Sequence, residues 1–310
     1  VQEQSLYPDE ILVVDGSTNS ETRIVLVENT FKNLTYFLVP KEYRGLTRQR
    51  NYGVDKASET SDMIAFVDDD TELTPNYFEE LVRTFVADKT IFGVGGVALN
   101  ENSWVLAEPN KQYNKYHFFQ FDKFVYKEGK RNVVRNYLRL QSNLEPGKMP
   151  DYSHGRTCGF PLDGKIYKVD LLIGMSFAFR KIVFDSIQFS SYFEGYGLYE
   201  DADFSIRALQ FGSNVINTKV QLNHYHDTSG RPNQYQYGKM VVRNGWYVWR
   251  TKNPTPTFTH QFKWHSITIL LTLIRFSNTF TTHKRKQALT EALGRTVGWW
   301  SLIFNKPKDK

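Results

Sequence analysis

The sequence is poor in cysteine, in long apolar runs and, toward its end, in acid. Its 310 residues include one cysteine, Cys158, which excludes an internal disulfide and fits a reducing compartment. No apolar run approaches the roughly 20 residues that span a bilayer, and no stretch has the make-up of a signal peptide. From Lys239 to Lys310 there are 13 Lys and Arg against 2 acids, so the net charge of +6 hides a basic tail on an acidic body. Such a tail suits a polyanionic surface such as an anionic membrane. It carries no motif for groove or single-strand recognition, which argues against nucleic acid as the partner. Hydrophobic content of 40% with 23% charged residues belongs to a globular chain able to bury a sizeable core.

The chain is organised around Met63-Ile64-Ala65-Phe66-Val67, an apolar run that stops at three carboxylates, Asp68, Asp69 and Asp70. Five apolar residues bounded by charge read as a buried strand, and strand ends are where open α/β sheets hold ligands. Adjacent anions repel one another, so they are tolerated in water or around a cation. Carboxylate oxygens suit Mg²⁺ or Mn²⁺, whose remaining positions are commonly filled by phosphate oxygens and water. A solvated acidic turn is the competing reading of the triplet alone.

Other acids stand at comparable places. Ile11 to Val14 reads as a strand running into Asp15-Gly16-Ser17. Arg23 to Val27 and Leu34 to Val39 read as further strands, with a helix over about 47–57. Thr74-Pro75 opens a helix whose apolar face is Phe78, Leu81, Val82 and Phe85. Ile91 to Leu99 is a strand whose Gly93, Gly95 and Gly96 imply close backbone approach. The alternation of strand and helix predicts an α/β fold with a mostly parallel sheet flanked by helices. No clean period emerges between about 100 and 170, which reads as an insertion or acceptor region. Phe177 to Arg180 resumes the strands, and a helix over about 200–211 begins Glu200-Asp201-Ala202-Asp203 after the loop Tyr192-Phe193-Glu194-Gly195-Tyr196-Gly197. Acids in a first helical turn suit the macrodipole, which predicts a low pKa for Asp201. A strand over about 215–222 leads to His224 and His226, and an imidazole beside two aspartates is a ligand set for a divalent cation.

Five segments, in order and spacing, resemble the motifs of family 2 glycosyltransferases with the GT-A (Rossmann-like) fold. They are Val13-Val14-Asp15-Gly16-Ser17, Thr47-Arg48-Gln49-Arg50-Asn51-Tyr52-Gly53, Phe66-Val67-Asp68-Asp69-Asp70, Gly174-Met175-Ser176-Phe177-Ala178-Phe179-Arg180 and Glu200-Asp201-Ala202-Asp203-Phe204-Ser205-Ile206-Arg207. The resemblance covers about residues 5–230. It implies that Asp15 and Arg50 contact the nucleotide base, that Asp68 lies by the ribose with Asp69 on the nucleotide side, and that Asp70 holds the metal. It places the catalytic base at Asp201, paired with Glu200, and the histidine of the metal shell at His224 or His226. The implied reaction is inverting sugar transfer from a nucleotide-diphosphate sugar, with Mn²⁺ or Mg²⁺, to a glycan or lipid-linked acceptor. A nucleotidyltransferase and an inactive carbohydrate-binding scaffold are the alternatives. Relatives begin with a strand and a helix of which only the helix end is seen here, which implies an open slot in the sheet with unpaired backbone groups.

These readings divide the chain into a catalytic domain over 1–238 and a basic helical tail over 239–310. In the tail, Ile267, Leu270, Leu271 and Ile274 fall at helical spacing between Trp264 and Arg275, with Lys284-Arg285-Lys286 and Trp299-Trp300 beyond. Tryptophan and cations on an amphipathic helix suit a membrane interface, whereas the same spacing serves helices packed on one another. The expected location is cytoplasmic, peripheral at the inner face of the cell membrane.

Overall fold

In the computed structural model, which describes residues 1–193, 195–226 and 232–308, most of the apolar runs become strands. Glu194 of the aromatic loop lies outside the described residues. The chain opens with β1 (Ile11–Asp15), α1 (Glu21–Glu28), β2 (Leu34–Leu38), α2 (Leu46–Lys56), β3 (Met63–Val67), β4 (Thr71–Leu73), α3 (Tyr77–Ala87) and β5 (Ile91–Ala98). Next come β6 (Trp104–Leu106), β7 (Phe118–Phe121), β8 (Phe124–Lys127) and α4 (Lys130–Tyr137). Then follow β9 (Ile166–Val169), β10 (Ser176–Arg180), α5 (Glu200–Ala208) and β11 (Ser213–His224). Three helices close the chain, α6 (Gln234–Lys252), α7 (Phe258–Thr281) and α8 (Arg285–Phe304). Among the described residues, 1–100 with 164–226 form one compact unit, and 101–163 with 232–308 form another.

The first unit holds a sheet in the order β3-β10-β5-β11-β4, with β9 also on β11. The α/β class is as the sequence predicts, but the sheet is mixed rather than mostly parallel. Among the described residues its only parallel pair of neighbours is β5–β11, and β10 lies antiparallel between β3 and β5. A parallel neighbour needs a crossover connection, usually helical. Strand β10 arrives instead after the long excursion 101–163, which leaves it free to run the other way. Helix α3 buries Tyr77, Leu81 and Phe85 against Val94, Ala178, Val215 and Leu222. Each such side chain contributes about 1.5–3 kcal/mol by leaving water. A Cβ on Gly93 would come within 2.3 Å of Asn214 Oδ1, and one on Gly95 within 2.7 Å of Ile216 Cδ1. The glycines of β5 are therefore what lets neighbouring side chains cross the sheet.

One expected strand is a helix. Residues Arg23 to Val27 lie in α1, because β1 and β2 pair in parallel and the link between them must cross over. The β1–β2 pair forms its own two-stranded sheet, and β3 pairs only with β10. Among the described residues no strand joins β1 to β3. Ile24, Val25 and Val27 of α1 are correspondingly exposed.

The second unit contains the antiparallel sheet β6-β8-β7 within the stretch that shows no sequence period. Its buried ion pair Arg156–Glu128 (3.0 Å) lies where the Arg156 guanidinium stacks 3.8 Å from the centre of the Phe119 ring. Small residues set the helix packing. A Cβ on Gly238 of α6 would meet the Glu291 carbonyl at 2.2 Å, and one on Gly294 of α8 the Tyr235 carbonyl at 2.0 Å. Trp249 and Trp264 stack at 5.3 Å, tying α6 to α7.

Candidate active site

Strand β3 ends one residue before Asp68, and the chain turns there. The Asp68 amide donates to the Met175 carbonyl (3.3 Å), while its own carbonyl accepts from the Thr71 hydroxyl (2.6 Å). Thr71 then opens β4, which pairs antiparallel with β11 so that His224 stands opposite Thr71. The Tyr225 amide donates to the Asp70 carbonyl at 3.0 Å. This register brings His224 Nε2 to 3.3 Å from Asp70 Oδ1. Asp68, Asp70 and His224 each offer one ligand atom, all within 4.8 Å of one another. Two ligands of one octahedral ion with bonds of about 2.1 Å stand about 3–4.2 Å apart. Two carboxylates and an imidazole at such spacing fit a divalent cation of the Mn²⁺ or Mg²⁺ kind.

The register also separates the two histidines. His224 belongs to the cluster with Asp68 and Asp70, and His226 lies beside it with ring centroids 4.1 Å apart. Asp69, between the two clustered aspartates, is exposed and not part of that trio.

Arg50 connects this trio to the acids of α5. Its guanidinium pairs with Glu200, lies 3.3 Å from Asp68 Oδ1 and donates to the Gly174 carbonyl at 3.1 Å. It also sits 4.8 Å from the centre of the Phe177 ring, with Phe66 and Phe189 nearby. Those rings belong to an aromatic cluster in which Phe189 and Phe204 stack at 4.2 Å. Arg50 is 8% exposed, so the residue read as a base contact is committed to carboxylates inside the protein. Nothing in the spacing of α2 signalled that role, because its partners come from three distant segments.

Gly174 is the other link. Its amide donates to Asp201 Oδ2 (3.0 Å), and the Ala202 amide donates to Asp201 Oδ1 (2.8 Å). A Cβ on Gly174 would lie 3.2–3.4 Å from Glu200, Arg50 and Asp201. Sequence reading placed Gly174 in a motif but missed that both its backbone groups hold the site. Tyr199, just before α5, has left-handed backbone (φ 72°). That strain is concentrated where the chain turns the Glu200-Asp201 pair inward.

Burial decides the acidities. It pushes Asp201 above its ordinary value, against the two amide hydrogen bonds that favour the anion. The low pKa expected from the helix start is therefore corrected: desolvation outweighs the macrodipole. Burial raises Glu200 as well, opposed by Arg50, and its Oε2 has no hydrogen-bond partner among the described residues. Asp68 is also raised by burial, with Arg50 opposing and Asp70 adding to the rise. A cation there would relieve the repulsion between the two aspartates. Asp15 differs. Burial raises it, but the Ser17 amide (2.7 Å) and the Tyr36 hydroxyl (2.8 Å) donate to its carboxylate and hold it below its ordinary value.

Solved structures that align with this chain include GalNAc-T7 with UDP, GalNAc and Mn²⁺, at 15% identity and TM-score 0.46. That match covers 76% of this chain, which spans 42% of that one. The mannosyltransferase PcManGT from Pyrobaculum calidifontis, solved with GDP-Man and Mn²⁺, aligns over 99% of this chain and 81% of its own, at 12% identity and TM-score 0.49. TarS 1–349 of S. aureus aligns over 97% and 84%, at 12% identity and TM-score 0.41. No curated protein sequence matches. The family model described as Glycosyl transferase family 2 matches residues 1–145, a stretch that carries Asp15, Arg50 and the three aspartates after β3.

Proposed function

We propose that the protein is a metal-dependent, inverting glycosyltransferase that moves a sugar from a nucleotide-diphosphate donor to the hydroxyl of a glycan or lipid-linked acceptor. The observation that carries this reading is the meeting of Asp68, Asp70 and His224, joined through Arg50 and Gly174 to Asp201. Asp68, Asp70 and His224 would hold Mn²⁺ or Mg²⁺, which when bound neutralises charge on the departing diphosphate. Asp15 and the exposed Asp69 serve the nucleotide side of the cleft.

Asp201 is the general base. The acceptor oxygen attacks the anomeric carbon, the bond from that carbon to the diphosphate oxygen breaks, and the diphosphate leaves with the electron pair. The acceptor proton passes to Asp201, whose two amide contacts fix the carboxylate and whose raised pKa makes it a better acceptor than an exposed aspartate. Attack from the face opposite the leaving group inverts the anomeric centre. Glu200 and Arg50 position this arrangement from behind. A lipid-linked acceptor accords with the basic tail, which would hold the enzyme peripherally at an anionic membrane surface.

A panel of nucleotide sugars, assayed for diphosphate release with and without Mn²⁺, tests the reading. Metal-dependent release from one donor, abolished in Asp201→Asn, is the expected outcome. Release that ignores both metal and the substitution would refute it.

A further inference from the structure

Helices α7 and α8 turn apolar side chains outward. On α7, Phe262, Ile269, Leu273, Phe276 and Phe280 are all exposed, and their spacings of seven, four, three and four place them on one face. On α8 the same holds for Leu293, Val297, Trp300 and Phe304. The buried positions of α8, Ala288, Ala292, Arg295 and Leu302, lie on the opposite side. Both helices are amphipathic in reverse, with the face that normally carries charge made of leucine, valine and aromatics.

Both stripes lie off the contacts that join the two helices. Contacts between α7 and α8 run through Arg275–Glu291 (2.7 Å) and Trp299–His265 (3.0 Å). None of these four positions belongs to either stripe.

The exposed charge on the segment that carries this face is of one sign. Between Pro232 and Lys308 the only acid is Glu291, which is buried and bound by Arg275 and Arg295. Lys284, Arg285 and Lys286 are exposed at one end of the hairpin, and Lys306 and Lys308 at the other. No helix among the described residues is long and apolar enough to cross a membrane. An apolar face on helices that carry exposed cations and no exposed acid of their own is complementary to the surface of an anionic bilayer, where a helix lies in the interface plane.

We infer that the outward face of the α7–α8 hairpin is a membrane-docking surface that seats on anionic lipid, with the phenylalanines and Trp300 below the headgroups and Lys284, Arg285 and Lys286 among them. This deepens the peripheral-membrane reading and rests on it, independently of the chemistry assigned to the cleft.

Flotation of the full chain with vesicles of phosphatidylcholine alone, or mixed with phosphatidylglycerol, tests it. Binding is expected to the anionic vesicles at low salt. Leu273→Glu with Phe280→Glu should weaken it by at least about tenfold. Replacing Lys284, Arg285 and Lys286 with alanine should weaken it by about tenfold or more at low salt and little at high salt. The substituted positions are exposed, so unchanged thermal melting should accompany these losses. Anionic-vesicle binding that survives the glutamates would overturn the assignment of this face while leaving membrane association intact. No vesicle binding by the unaltered chain would overturn both. Light scattering that shows a dimer made monomeric by the glutamates, without vesicle binding, would assign the face to a second copy instead.

Discussion

The sheet unit and the α7–α8 hairpin dispose of their apolar side chains in opposite ways. In the first, Tyr77, Leu81, Phe85 and Phe177 are sealed inside and the acids collect where strands end. In the second, one apolar face packs and another looks outward. Ile267, the start of the stripe read from the sequence, is buried, and Leu270, Leu271 and Ile274 are half-buried beside it. The outward stripe is a different set, headed by Phe262, Leu273 and Phe280. Hydrophobic spacing thus identifies a helix without saying which face meets solvent, and α7 has an apolar answer on both sides.

The largest contrast should come from the cleft. Asp201→Asn is expected to lower transfer by about 10²–10⁴-fold, the usual worth of a positioned base, while leaving nucleotide binding in place. A donor-binding loss of similar size would make Asp201 a binding residue instead. His224→Ala should weaken metal-dependent nucleotide binding by at least about 10–100-fold, whereas His226→Ala should change it much less. Equal losses would undo the separation of the two histidines by the register of β4 on β11.

Stability separates the two regions directly. Phe85→Ala should cost about 3–5 kcal/mol in denaturant unfolding, and Leu273→Ala, on the outward stripe, within about 0.5 kcal/mol. Comparable costs would mean that the stripe is core. Arg50→Ala should also cost about 3–5 kcal/mol, because it strands the buried Glu200 carboxylate beside Asp68.

The smallest effect is one of pH. Asp201 must be ionised to accept a proton, and burial raises its pKa, so kcat should fall as pH drops through a value above 3.8. An acid limb below 3.8, measured as kcat against pH, would contradict the buried environment.

The aspartates of the trio were legible from residues 63–70, because an apolar strand that stops at acids announces its own end. What stayed hidden is tertiary. Residues 23–27 look like a strand by their β-branched side chains, but the parallel pairing of β1 with β2 forces a helix there. The antiparallel course of β10 has no local signal. Arg50, expected from the resemblance to contact the nucleotide base, has Glu200, Asp68 and Gly174 as partners from distant segments that local sequence does not foretell, and the macrodipole argument for Asp201 fails because helix-start reasoning does not register burial.

Calorimetric titration of UDP and GDP into the protein, with and without Mn²⁺, tests the central claim most directly. A nucleoside diphosphate should bind with Mn²⁺ present, weaken strongly without it, and lose the metal dependence in Asp70→Ala. Binding of equal strength with and without Mn²⁺, or unaffected by Asp70→Ala, would show that Asp68, Asp70 and His224 do not hold a metal for the diphosphate.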